Sequence, residues 1–304
     1  MIVSFNFGLY PQEELRRLSA HLIPIMDGLA ECGHRVERFA IGLKPPPIVN
    51  LLVYHRGITA PAIEAVIGMK RQRPDFVVGL LCLGPVNDDG ESGPVEPAGL
   101  VRLAAAADFA WSVPPPEAVP ELAGIAGKVA RIRYGFSEPS LGTNTSLDAP
   151  QPRDIDVMFR GLATPRRQAV WDTLAQRGVS GFWLDNASFP PYLADDLLGR
   201  SKMVLDFNAE PGARGPSPAL SAHALHQGTV IVAEAPPAGW QPELDALTVA
   251  TPYEALADRC LQILNSGFYT KLGLAALQKF RAETSMGANM KAALALPALG
   301  RLAS

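Results

Sequence analysis

A strand-then-helix pattern that stops once and then begins again is the feature that most constrains this chain of 304 residues. Short apolar runs separated by helix-periodic stretches occur up to residue 135 and resume after residue 153. The run at residues 76–83 is apolar without alternation, as expected for a strand of a parallel sheet covered on both faces. The pattern therefore predicts two separate parallel sheets, each with helices on both sides.

The interruption between residues 135 and 153 is rich in Gly, Pro, Ser and Asn, which is typical of a linker. We expect an α/β fold of two Rossmann-like doubly wound domains that face each other across a cleft, with ligands at the carboxyl ends of the strands. The predicted boundaries are an N-terminal domain, a linker, a C-terminal domain and a final helix that crosses back to the first domain: residues 1–135, 136–153, 154–284 and 285–304.

Composition excludes several classes of protein. The net charge of −3 at pH 7 favours neither nucleic acid nor an anionic membrane as the main partner. The three cysteines, Cys32, Cys82 and Cys260, are scattered, so neither a disulfide framework nor a zinc site is expected. No signal peptide and no apolar run long enough to span a bilayer is present, so we expect a cytoplasmic protein, with peripheral membrane contact left open.

Four segments of the second half, in order, carry a resemblance to a known family. They are a strand ending in a glycine turn, a Pro-Arg-Arg helix entry, a leucine-rich helix followed by a strand, and a helix–glycine–strand–glutamate stretch. In sequence they read DVMFRG (156–161), TPRR (164–167), LLGRSKMVLDF (197–207) and HALHQGTVIVAE (223–234). This series resembles the spore-maturation glycosyltransferase-like group (glycosyltransferase family 4/1-like), which has the GT-B fold.

The resemblance implies a glycosyltransferase of polysaccharide biosynthesis that needs neither a metal ion nor another cofactor. It also implies that the C-terminal domain binds a nucleotide-sugar donor and that the N-terminal domain lies on the acceptor side. The acceptor is a hydroxyl of a glycan, a lipid or a protein. Two positions depart from the family pattern: Pro218 stands where a second glutamate often follows Glu210, and His223 stands where the helix often carries an acid. The sequence does not indicate the oligomeric state.

The segment at residues 212–217 is the first candidate for donor binding. Glycines such as Gly215 allow the backbone to approach a diphosphate closely, Arg214 offers a bidentate guanidinium, and Ser217 supplies a hydroxyl beside a helix N-terminus. An ordinary capped helix with a solvated arginine explains the same residues, so both interpretations remain open.

The turn after residue 159 is the second candidate, with Arg160, Gly161 and Arg166 as donor-binding residues. Arg166 and Arg167 are neighbours on a helix and point about 100° apart, since a turn holds about 3.6 residues. One of them is therefore expected to be structural, paired with a carboxylate such as Asp154 or Asp156.

Aromatic and acidic side chains supply the remaining donor candidates. Trp183 and Tyr192 lie near the second strand of this half, where a ring could stack on the nucleotide base or pack in the core. Glu234, at the end of the fourth strand, could accept hydrogen bonds from ribose hydroxyls or be a surface acid. These alternatives remain open at the level of sequence.

In the first half, Asp88 and Asp89 follow an apolar strand and are candidates for the general base that deprotonates the acceptor hydroxyl. The same residues are also good turn formers. His55, after the third strand, is the next candidate for a catalytic role.

Three functions are compatible with these features. The first is transfer of a sugar to an acceptor hydroxyl, the second is epimerisation of a nucleotide-sugar, and the third is nucleotide-sugar binding by a non-catalytic partner subunit. No phosphate-loop, dinucleotide-fingerprint, serine-hydrolase or zinc-protease motif is present in the sequence.

Overall fold

The computed structural model describes most of the chain, in ten segments. They are residues 1–6, 12–40, 42–54, 58–83, 97–141, 152–161, 163–184, 191–208, 217–235 and 241–300. Within them the chain divides into two compact units. The first comprises Met1–Leu15, Ile25–Arg133 and Met286–Ser304, and the second Arg16–Pro24 and Tyr134–Ser285.

The first unit contains a six-stranded parallel sheet with the order β2-β1-β3-β4-β5-β6. Its strands are β1 (Ile2–Asn6), β2 (Arg35–Ala40), β3 (Ile48–Tyr54), β4 (Val77–Cys82), β5 (Phe109–Ser112) and β6 (Val129–Arg131). Its helices are α1 (Gln12–Glu31, which also contributes to the second unit), α2 (Ala60–Gln72) and α3 (Pro97–Ala106). A 3-10 helix at Pro120–Lys128, which the sequence pattern did not predict, connects β5 to β6.

The second unit contains a five-stranded parallel sheet with the order β11-β10-β9-β7-β8. Its strands are β7 (Ile155–Arg160), β8 (Gly181–Leu184), β9 (Ser201–Asp206), β10 (Val230–Glu234) and β11 (Val249–Thr251). Its helices are α4 (Pro165–Gln176), α5 (Pro191–Arg200), α6 (Pro218–His226), α7 (Pro242–Asp245), α8 (Leu256–Ser266) and α9 (Tyr269–Glu283).

Both faces of the second sheet are buried. In β9, Met203 and Leu205 join the core formed with α4 and α8. Val204 lies between them, faces the opposite side because successive side chains alternate, and is also fully buried. Helices α6 and α9 contact β10. The expected α/β fold with two doubly wound parallel sheets is therefore confirmed.

The C-terminal helices α10 (Met286–Leu294) and α11 (Pro297–Gly300) belong to the first unit. Helix α10 packs closely on α1, because a Cβ added at Gly28 would lie 2.6 Å from Cγ of Met286. The amide of Gly287 donates to the Glu31 carboxylate at 3.0 Å. Glycine at position 28 therefore permits this close helix contact.

Several helix boundaries follow from local chemistry. Helix α4 begins as the sequence predicts, with the Thr164 hydroxyl accepting from the amide of Arg167 and Pro165 in the first turn. Helix α6 begins at Pro218, with Ser217 as its N-cap. Helix α1 continues through Pro24, although a proline inside a helix usually kinks or breaks it.

A partly buried arginine fixes the end of the predicted linker to the second sheet. The Arg153 guanidinium donates to the carbonyl oxygens of Ser201, Gln227 (2.7 Å) and Gly228 (3.0 Å) and to the Thr229 hydroxyl (2.7 Å). Two of these carbonyls lie at the C-terminal end of α6, where a cation interacts favourably with the helix dipole. Burial lowers the pKa of this guanidinium.

Within the described ranges, no helix combines the length and the apolar character needed to cross a bilayer.

Candidate functional site

The carboxyl ends of three adjacent strands bring the candidate residues of the second unit together. Strand β9 lies between β7 and β10, and all three run parallel. Their last residues, Arg160, Asp206 and Glu234, therefore emerge at the same edge of the sheet. In open α/β sheets this is the edge at which ligands bind. We call it the carboxyl edge.

An ion pair between Arg166 and Glu234 dominates the described part of this edge. Nη2 of Arg166 lies 2.5 Å from Oε1 of Glu234, and Nη1 lies 2.9 Å from Oε2. The two side chains are only 13% and 14% exposed. The pair is thus bidentate and largely withdrawn from water, and bidentate pairs of this kind combine strength with fixed geometry.

Two further residues hold this pair in place. The carbonyl oxygen of Asn208 accepts from Nη1 of Arg166 at 2.7 Å, and the amide of Asn208 donates to Oε2 of Glu234 at 3.1 Å. The Arg166 guanidinium carbon lies 3.7 Å from the centre of the Tyr253 ring, and the Tyr253 hydroxyl donates to the Arg166 carbonyl at 2.8 Å. We call Arg166, Asn208, Glu234 and Tyr253 the arginine–glutamate clamp.

The clamp joins elements that are far apart in sequence. Glu234 ends β10, Asn208 follows β9, Arg166 lies in the first turn of α4, and Tyr253 follows β11. Removing one partner of a buried ion pair typically costs about 3–5 kcal/mol, because the other charge is left uncompensated. The clamp therefore fixes the relative positions of these strand and helix ends.

Arg167 takes the structural role that the sequence assigned to one of the two neighbouring arginines. Its side chain is buried, donates to the carbonyl of Phe207 at 3.2 Å and lies over the Phe159 ring. The expected pairing with Asp154 or Asp156 is wrong.

Those two aspartates bind other cations, since each lies close to a basic residue at the start of β9. Asp154 pairs with Arg200 at 2.5 Å, and Asp156 pairs with Lys202 at 2.5 Å. Residues 154 and 156 lie beside residues 200–202, at the amino ends of β7 and β9. Arg167 lies at the carboxyl edge, and for this reason it does not pair with either aspartate.

Gly161 is required at the turn after β7. Its φ of +152° is a conformation that side-chain-bearing residues rarely adopt, and an added Cβ would lie 3.0 Å from Nη1 of Arg167. The Trp183 indole donates to the Gly161 carbonyl at 2.8 Å, while its ring packs edge-on against Phe159 at 5.0 Å. Of the two roles open for Trp183, the structure thus shows the packing role.

The N-terminus of α6 already holds a carboxylate. The amide of Ser217 donates to Oδ2 of Asp206 at 2.7 Å, and the Ser217 hydroxyl accepts from the amide of Leu220 at 3.4 Å. A phosphate at this position would compete with Asp206 for the Ser217 amide. The hydroxyl hydrogen of Ser217 can still be donated to a ligand.

Other predicted residues lie outside the described part of the chain. They are Arg214 and Gly215 of the donor segment and His55, Asp88 and Asp89 of the first unit. The backbone of Tyr192 belongs to α5, but its side chain is likewise outside the description.

His223, on α6, forms its own carboxylate pair. Its Nε2 lies 2.7 Å from Oδ1 of Asp195 on α5. Across the part of the chain that the structure describes, no cluster of His, Cys, Asp or Glu side chains could hold a metal ion.

A cavity of about 230 Å³ in the second unit is a poor candidate for an anionic ligand. It opens beside Gly181, the first residue of β8, at the amino end of the sheet. Among the described residues its walls carry no charged side chain: they are Val157, Trp171, Leu174, Ala175, Val179 and Gly181.

Sequence reasoning identified Arg166 and Glu234 separately but missed their pairing, as well as Asn208, Asp206 and Tyr253. A usable signal existed for Asp206 and Asn208, since both fall at the predicted end of a parallel strand. Tyr253 carried no such signal, because its contact depends on how the segment after β11 folds against α4.

The fold and the carboxyl edge define a two-unit, doubly wound α/β protein with a preformed polar cluster where such sheets bind ligands.

No family model matches the sequence, and no curated protein matches it. Among solved structures, the chain is similar to a Listeria monocytogenes protein assigned as a UDP-N-acetylglucosamine 2-epimerase, with a TM-score of 0.49 and 11% identity over 96% of this chain and 94% of that chain. It is also similar to the N-terminal domain of Candida albicans trehalose-6-phosphate phosphatase, with a TM-score of 0.44 and 9% identity over 82% of this chain and 69% of that chain. Both scores are too low to carry an inference about function, which is therefore drawn from the chain's own residues.

Proposed function

We propose that this protein is a metal-independent glycosyltransferase that binds a nucleotide-sugar at the carboxyl edge of its second sheet. The sugar passes to a hydroxyl of a glycan, lipid or protein acceptor. The observation that carries the proposal is the arginine–glutamate clamp. It fixes the carboxylate of Glu234 beside the guanidinium of Arg166, at the edge where doubly wound sheets bind nucleotides.

The two parts of a nucleotide-sugar need different partners. Its hydroxyl groups need acceptors, and Glu234 is a carboxylate at the end of a strand. Its diphosphate needs cations and amide donors, for which Arg160, Arg214 and Gly215 are proposed. Ser217 contributes its hydroxyl in this proposal, because its amide is bonded to Asp206.

In the same proposal, Asp88 or Asp89 removes the proton from the acceptor hydroxyl as the anomeric carbon becomes electrophilic, with His55 as the alternative base. The role follows from the sequence position after an apolar strand. A positioned general base typically contributes about 10²–10⁴-fold to the rate.

Binding and turnover are tested separately. Titration calorimetry with UDP, GDP, ADP and TDP should identify at least one that binds, and Arg214→Ala should weaken that binding by roughly 10- to 150-fold, as loss of a charge-assisted hydrogen bond predicts. Glu283→Gln, an exposed change at the end of α9, is the control and should bind as the wild type does. The binding proposal is wrong if no nucleoside diphosphate binds.

Incubation with the matching nucleotide-sugars then identifies the reaction. A transferase slowly releases free sugar to water, an epimerase converts the sugar, and a binding subunit does neither. Asp88→Ala and Asp89→Ala should reduce turnover without changing affinity for the nucleoside diphosphate. Full activity in both variants would move the role of base to His55.

A further inference from the structure

The hydrogen bonds at Glu234 leave it little capacity for a ligand. A carboxylate offers about four acceptor positions on its two oxygens. Oε2 already accepts from Nη1 of Arg166 and from the amide of Asn208, and Oε1 accepts from Nη2 of Arg166. One acceptor position therefore remains, on Oε1. The Glu234 side chain is 14% exposed and is therefore not closed off from a bound molecule.

The clamp does not release Glu234 easily. Nη1 of Arg166 also donates to the Asn208 carbonyl, and the guanidinium plane is packed against the Tyr253 ring. If Arg166 turned away to meet a diphosphate, it would leave the Glu234 carboxylate and the Asn208 carbonyl without their partner in a poorly hydrated place. Leaving such groups unsatisfied is costly, so the bound state should keep the clamp closed.

We infer that Glu234 receives a single hydroxyl group of the ligand, through Oε1, and that Arg166 is a positioning residue for Glu234. The inference rests on the proposed function, in which that hydroxyl belongs to the ribose of a nucleoside diphosphate. A carboxylate with both oxygens free would bind the two neighbouring hydroxyls of ribose together. The clamp prevents this, because it occupies Oε2.

The ligand itself supplies the first test, without any change to the protein. Calorimetry is carried out with the nucleoside diphosphate that binds most tightly and with its 2′-deoxy and 3′-deoxy analogues. One analogue should bind roughly 10- to 150-fold more weakly, as loss of a hydrogen bond to a charged group predicts, and the other within about threefold of the parent. Equal losses of affinity for both analogues would show that two hydroxyls are recognised. No loss of affinity for either analogue would show that Glu234 is not a hydroxyl acceptor. Either result overturns the inference.

Substitution of Arg166 tests the positioning role. Arg166→Lys keeps the positive charge but cannot form the bidentate pair. This variant should therefore bind the parent nucleoside diphosphate no more tightly than the deoxy analogue that binds weakly to the wild type. Its affinity for inorganic pyrophosphate should stay within about twofold of wild type, because Arg166 does not contact the diphosphate. Glu234→Gln should likewise lose the preference for the parent over that analogue, and Glu283→Gln should keep it. The inference is overturned if Arg166→Lys loses as much affinity for pyrophosphate as it loses for the parent nucleoside diphosphate. That result would make Arg166 a phosphate contact.

These outcomes are distinct from failure of the proposed function. If the wild-type protein binds none of the nucleoside diphosphates, the proposed function fails and the inference falls with it. If the parent ligand binds and the analogues or variants behave otherwise than expected, only the inference fails.

Discussion

Acidification should destabilise the second unit through one buried histidine, His226. Its Nδ1 lies 2.7 Å from the carbonyl oxygen of Ala222, and its Nε2 accepts from the amide of Ser137 at 3.1 Å. The ring is stacked on Phe136 and meets Phe280 edge-on. Since Nε2 acts as an acceptor, the folded protein requires the neutral ring with its proton on Nδ1. Protonation of Nε2 would break the bond to Ser137 and place a charge in an apolar site.

The size of this effect follows from the pKa. Burial, supported by the nearby charge of His223, lowers the pKa of His226 from 6.5 to about 4. The unfolded chain therefore takes up a proton as the pH falls through 6.5, whereas the folded protein does so only near pH 4. The free energy of unfolding falls across this window, by about 2 kcal/mol between pH 7.5 and pH 5 and by about 3 kcal/mol once both states are protonated.

The assay compares urea unfolding of the wild type and His226→Gln, followed by circular dichroism, at pH 7.5 and at pH 5. Glutamine keeps a donor and an acceptor but does not titrate, so the wild type should lose about 2 kcal/mol more than the variant over this interval. His34→Gln serves as the control. Burial lowers the pKa of His34 too, but its side chain is partly exposed, so its effect should be smaller. Equal losses in the wild type and His226→Gln would refute the reasoning.

Two further predictions concern stability. Arg153→Met should lower the free energy of unfolding by about 3 kcal/mol in urea titrations, because it removes the donor to the carbonyls at the end of α6. A loss below about 1 kcal/mol would show that water replaces the guanidinium. Gly273→Ala should destabilise by several kcal/mol, since its Cβ would lie 2.0 Å from the Gly228 carbonyl oxygen. Gly68→Ala in α2, where a Cβ meets no atom within 4 Å, should instead raise the stability by about 0.5–1 kcal/mol. Similar melting behaviour of the two alanine variants would contradict the close contact between α9 and the backbone at Gly228.

The strands could be predicted from the sequence because buried parallel strands have a distinctive composition. The run at β4 is apolar at successive positions, and its residues are buried on both faces. The connection at Pro120–Lys128 could not be predicted in the same way. Its Pro and Gly residues obscure any helical period, and the observed element is a 3-10 helix with a non-helical residue at Ile125.

The candidate site was predictable in its location but not in its internal bonding. Strand ends could be placed from the sequence, and parallel pairing then brings them to one edge. The partner of Glu234, however, depends on the order of strands in the sheet and on the angle at which α4 leaves β7. A separation of 68 residues between Arg166 and Glu234 gives no local signal for their pairing. The pairing of Asp206 with the Ser217 amide was missed for the same reason, because the two residues are 11 positions apart in the sequence.

The described charges of this edge are largely matched within the protein itself. Arg166 neutralises Glu234, and Asp206 is held at the positive end of α6. In the proposed function the clamp therefore contributes geometry, a single acceptor in a fixed position, and little net attraction for an anion. The attraction for a diphosphate must then come from cations outside the clamp, which is why Arg160 and Arg214 carry that part of the proposal. Affinity for the diphosphate and recognition of the hydroxyl should thus respond to different substitutions, with Arg214→Ala affecting the first and Arg166→Lys the second.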